Sequence, residues 1–177
     1  MMTALEVLDS AVKIGLGALI AGLSTFFIGR YQHVRELEKE RIKREFEVLK
    51  QTAEQIELFT HVAPKYWALI VDWGRFKRND RSMPEKRSSA LDACASELFS
   101  SFKELSNAEA KLLLLGYKSA QVKSRHYGEL VSSFRREVNR DSHPLTEDQA
   151  QAWRARLLAA REELFDELSS CYRKLSP

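Results

Sequence analysis

With 177 residues, 44% of them hydrophobic and 30% charged, the chain is long enough for one domain with its own core. A formal net charge of +3 is too small to argue for nucleic acid through charge alone. Gly and Pro are scarce, Leu, Ala, Glu, Lys and Arg are abundant, and no stretch alternates as a strand does, so the class is all-α. Cys94 and Cys171 stand far apart in apolar helical patterns and form no C-x-x-C pair, which predicts buried reduced thiols rather than a disulfide.

The first element is Ala11–Gly29, AVKIGLGALIAGLSTFFIG, uncharged from Ile14 to Ile28. Extended back to Leu8 it reaches the roughly 20 residues that a bilayer core requires, with Lys13 near one end able to snorkel. Residues 1–30 are therefore expected to be a transmembrane anchor in contact with membrane lipid. Ala11, Gly15, Ala18, Gly22, Thr25 and Gly29 follow one another at spacings of four and three, a seam of small side chains on which two helices can approach closely. That seam predicts a homo-oligomer or a contact with another membrane protein. Glu6 and Asp9 precede the span, while Arg30, Arg35, Lys39, Arg41, Lys43 and Arg44 follow it. The Lys and Arg asymmetry places the N-terminus outside and the remainder in the cytoplasm, a single-pass cell-membrane protein of bacterial inner-membrane type. The acidic start argues against a cleaved signal peptide, and Tyr31 suits an interfacial anchor.

Residues 31–47 read as a charged helical stalk of coiled-coil type, with Glu40 four residues before Arg44. From 48 to 177 a cytoplasmic bundle follows. Ile42, Phe46, Leu49, Ala53, Ile56, Thr60 and Ala63 form an inward stripe; Pro64 should kink or restart the helix, which then continues to about Arg78. NDRSMP, residues 79–84, is a loop with Ser82 as the expected cap of the next helix. Leu91, Cys94, Leu98, Phe102, Leu105, Leu112 and Leu115 line that helix to Gly116, where a left-handed glycine followed by Tyr117 predicts a Schellman ending; a capping box at Ser106 and Glu109 would place the break earlier. Val122, Tyr127, Leu130, Val131, Phe134 and Val138 line the third helix, in which Gly128 is a weak point. After a second loop, Thr146 and Gln149 form a capping box with Leu145 as its staple, and the last helix buries Ala150, Trp153, Leu157, Leu158, Leu164, Phe165, Leu168 and Cys171 as far as about Leu175. Four such helices close as an antiparallel bundle.

The chemistry-bearing residues form no familiar constellation. No Glu is followed three residues later by His, as bundle di-iron sites require, and Glu57 with His61 reads as a surface pair. Phosphate loops, HExxH and GxSxG are absent from the sequence. No catalytic, cofactor-binding or metal residue is assigned, and no cofactor is expected. One feature stands out, a basic set around the two loops at one end of the bundle: Arg75, Lys77, Arg78, Arg81, Lys86, Arg87, Arg135, Arg136 and Arg140, with Phe76 among them. Such a patch suits an acidic protein partner or a phosphate backbone, the partner being the expected occupant. The expected function is a non-enzymatic, membrane-anchored scaffold or adaptor that self-associates and recruits a partner. The alternative is a membrane-perturbing effector whose spanning helices assemble into a leak, and an enzyme is the least favoured class.

Overall fold

The computed structural model describes residues 4–138 and 144–175; in the N-terminal helix side chains are described at Gly22, Thr25 and from Arg30 onward, Val34 excepted. The described residues form four helices: α1 (Ala4–Arg78), α2 (Glu85–Leu114), α3 (Lys118–Glu137) and α4 (Glu147–Leu175). The chain divides into two compact units, Met1–Arg44 and Glu45–Pro177.

Residues of α1 within the second unit bond to α2 in falling order: Lys111 donates to Gln51 at 3.5 Å, Gln55 to Glu104 at 2.9 Å and Lys65 to Glu97 at 3.0 Å, and Arg87 pairs with Asp72 at 2.9 Å. That order makes the two helices antiparallel neighbours. On its other flank α1 meets α4, through Phe46 against Tyr172 and the Trp67 indole N–H donating to the Ala150 carbonyl. Lys123 pairs with Glu163 between α3 and α4, and Arg125 with Glu109 between α3 and α2, which completes an antiparallel four-helix bundle. Its core runs through all four helices, with Phe59, Leu98, Tyr127, Phe134 and Leu164 among the most enclosed side chains.

Two kinds of seam hold the bundle. The backbones of α2 and α3, and of α3 and α4, approach within 8 Å repeatedly, whereas those of α1 and its neighbours scarcely do. Small residues explain the first kind: Ala120, Ser124 and Gly128 lie a turn apart on α3 and are all buried, as are Ala108 on α2 and Ala160 on α4. A Cβ at Gly128 would meet the Leu105 Cδ2 at 2.6 Å, so this glycine is a point of close approach to the Leu105 side chain. Large rings span the second kind, with Phe59 edge-on to Phe102 and Tyr127 at centroid distances of 4.8 and 5.7 Å, and Tyr66 edge-on to Phe134 at 6.2 Å.

Helix ends follow local chemistry. At Gly116 (φ 80°) the Tyr117 amide donates to the Leu112 carbonyl and the Gly116 amide to that of Leu113, the paired bonds of a Schellman ending. The same pair closes α1, Arg81 to Phe76 and Asp80 to Lys77, with Asp80 (φ 49°) in the left-handed position. The Thr146 amide donates to Gln149 Oε1 and the Gln149 amide to Thr146 Oγ1, the reciprocal capping box. Three local details depart from or narrow the expectations. Pro84, not Ser82, stands at the start of α2, without a side-chain cap. Ser106 bonds the Phe102 carbonyl within an uninterrupted α2. Pro64 neither ends nor restarts α1, although a proline inside a helix costs about 3 kcal/mol.

Val122 (52% exposed) and Leu158 (46%) face outward, contrary to the apolar stripes drawn through them. The small residues of α3 set its inner face instead, and they bring in Gln121 and Ser124. Both cysteines are free and buried, and burial pushes both thiols up.

Among the described residues no helix is long and apolar enough to cross a membrane. That finding overturns the single-pass placement in the cell membrane and leaves the transmembrane helix without support. From Arg35 to Lys50 no more than two uncharged residues stand together in α1, and the apolar residues that follow are largely spent on the bundle core. Of the small-residue seam, Gly22 and Thr25 are exposed, and nothing lies within 4 Å of a Cβ at Gly22; the side chains of Ala11, Gly15, Ala18 and Gly29 lie outside the described residues. Tyr31, expected at a lipid interface, is exposed and has the Arg35 guanidinium 4.5 Å above its ring.

Candidate functional site

The basic set divides by what each cation touches. Arg75 grips Glu147 at the start of α4 with two nitrogens, at 2.6 and 3.2 Å, and lies 3.8 Å from Asp72. Arg78 reaches the same carboxylate at 3.5 Å and donates to the Leu145 carbonyl. Arg87, in the first turn of α2, pairs with Asp72 of α1. These three arginines therefore tie the end of α1 to the starts of α4 and α2. The hydrogen bond and charge of Arg75 hold the Glu147 carboxyl below its ordinary value of 4.5 and are reciprocated in a raised Arg75. All of these groups are well exposed, so each pair contributes little by itself, and their joint effect is to hold the register of the three helix ends.

Lys77 stacks on Trp73, with its ammonium 4.9 Å from the ring centroid. Arg136 bonds to Ser133 one turn back. Arg140 lies outside the described residues. Four cations are exposed and form no ion pair among the described residues: Arg81, just past the left-handed Asp80; Lys86, in the first turn of α2; Arg135; and Arg136. Arg135 lies over Phe99 at 5.7 Å, a cation–π pair joining α3 to α2. Phe99 is 67% exposed. The apolar stripe gives no hint of it, because it falls one residue off the inward series at Leu98; the usable signal is an aromatic at a position the helical period turns outward.

Glu57 and His61 both face solvent. No group of three His, Cys, Asp or Glu side chains among the described residues is placed to hold a metal ion. No family model, curated protein or solved structure matches the chain.

Proposed function

We propose that the chain is a non-enzymatic helical scaffold or adaptor that recruits an acidic protein partner through the cations its own fold leaves unpaired. The observation that carries this reading is Arg135 above the exposed ring of Phe99: a large aromatic turned to solvent under a cation is the pairing that anchors protein interfaces. Arg81 and Lys86 add charge that attracts an acidic surface over about one Debye length, roughly 8 Å at physiological ionic strength. The unit Met1–Arg44 holds one helical segment, and a lone helix cannot bury its own apolar residues. Self-association through that segment is part of the same proposal.

The test uses a photo-crosslinker at Phe99 in the full chain. Crosslinks to an acidic partner should fall with salt and vanish on combining Arg81→Glu, Lys86→Glu and Arg135→Glu, with helicity and melting unchanged. Reversing Arg75 and Arg78 should instead lower the melting temperature. Crosslinks indifferent to the three surface reversals would contradict the proposal. For self-association, Gly22→Ile should reduce the solution mass if Gly22 lies at a helix contact, and an unchanged mass would remove that contact.

A further inference from the structure

The seam between α1 and α4 is not filled. A cavity of about 200 Å³ opens there, walled by Pro64, Trp67 and Ala68 on one side and by Leu157 and Leu158 on the other. Its existence follows from the residue types on α1: Pro64 and Ala68 stand one turn apart and neither carries a long side chain across the gap. The walls are fixed. Trp67 is held by its hydrogen bond to the Ala150 carbonyl, 3.1 Å, and Leu157 is buried. Pro64 also removes the amide hydrogen that the Thr60 carbonyl would accept one turn earlier, an unfavourable choice in a helix interior that coincides with the cavity.

Three residues with polar ends are among those lining this apolar space. Arg154 and Arg161, two turns apart on α4, line it, and neither has an ion-pair partner among the described residues. Their guanidinium groups lie over Trp67 at 5.7 Å and Phe165 at 5.1 Å, so the rings orient them while their donors stay unused by carboxylates. Tyr127 of α3 also lines the cavity. It is 1% exposed, and its hydroxyl has no hydrogen-bond partner among the described residues. Burial pushes that hydroxyl up to about 12, against the opposing charge of Arg161, so near neutral pH it is an O–H donor.

We infer that this cavity is a binding site for a small organic carboxylate with a flat apolar body. The body would lie between Trp67 and the two leucines, and the carboxylate would accept from the Arg154 and Arg161 guanidinium groups and from the Tyr127 hydroxyl. Size agrees with this class: a cavity of about 150 Å³ holds benzene, so the larger one here holds an aryl ring with a short acidic arm. A mostly apolar pocket with a few convergent polar groups is the usual form of a small-molecule site.

The test is calorimetric titration of the purified full chain with 3-phenylpropionate and, separately, with its uncharged amide. The carboxylate should bind saturably with one site per chain, and the amide about tenfold more weakly or worse, since charge-assisted hydrogen bonds are lost. Arg154→Gln and Arg161→Gln should each weaken the carboxylate by a similar factor without changing binding of the amide. Ala68→Leu, at an exposed helical position that tolerates Leu, should abolish binding of both by filling the space while leaving the circular dichroism spectrum unchanged. Absence of saturable carboxylate binding, equal binding of the amide, or retained affinity in a folded Ala68→Leu would each overturn the inference.

Discussion

The two seams of the bundle solve the same problem in opposite ways. Between α2 and α3 and between α3 and α4 the backbones come close over Ala108, Ala120, Ser124, Gly128 and Ala160. Between α1 and its neighbours the gap is bridged by Phe59, Tyr66 and Trp67 and by pairs of long charged side chains. Close packing of small residues sets the Leu105 side chain against Gly128, with an open groove of about 320 Å³ outside it lined by Phe102, Ser106, Arg125 and Ser132. Bridging with rings gives a seam whose strength resides in a few side chains and which, where a ring is missing, leaves a cavity. The difference between the two spaces is in their lining: the one on the wide seam is mostly apolar, whereas the one outside the close seam carries Glu109, Arg125, Glu129 and Arg136.

The largest effect should come from removing a bridge. Phe59→Ala takes a fully enclosed ring out of contacts with both Phe102 and Tyr127 and should destabilise by about 3–5 kcal/mol in chemical denaturation, at the upper end for a core truncation. A loss under 1 kcal/mol would mean that the wide seam does not depend on single rings. Next is the capping box of α4, which sets where Glu147 stands to receive Arg75: Thr146→Ala removes a bond to the Gln149 amide and should cost about 1 kcal/mol. Asp80→Gly should move stability the other way, by up to about 1 kcal/mol, because glycine occupies the left-handed position without strain. The melting temperature of each variant checks these signs.

The smallest effect is electrostatic. Arg75 lowers the folded-state pKa of Glu147, so this group contributes stability that is fully present above its unfolded value near 4.5 and is lost as the pH falls through the lower folded value. Glu147→Gln should therefore narrow the stability difference from the native chain as the pH drops below about 4.5. Melting curves at several pH values test it, and a difference that stays constant across that range would remove the pair from the account.

Much of the framework was legible because it depends on local chemistry. Gly116 stops α2, Thr146 with Gln149 starts α4, and the four helices end within a residue or two of where turn formers and caps place them. What hydrophobic stripes missed was governed by partner helices. Val122 scores as an inward position, yet the neighbouring small residues Ala120, Ser124 and Gly128 decide which face of α3 can come close. A count of cations likewise could not distinguish Arg75, committed to Glu147, from Arg81, because the carboxylate lies on another helix. The membrane assignment rested on an apolar run taken alone, and no helix among the described residues supports it. Neither the cavity beside Pro64 nor the exposed Phe99 had a sequence signal of its own, since both depend on how the helices pack.

The difference between the seams is tested most directly by adding the same side chain to each. Gly128→Leu forces volume into the close seam, where even a Cβ would meet Leu105, and should destabilise by about 1–3 kcal/mol or more. That corresponds to a fall in melting temperature of several degrees, at about 2–4 °C per kcal/mol for a chain of this size. Ala68→Leu adds its side chain beside the open cavity between α1 and α4 and should leave the melting temperature unchanged or raise it. Equal losses in the two variants, measured side by side, would contradict the division of the bundle into a close seam and a wide one.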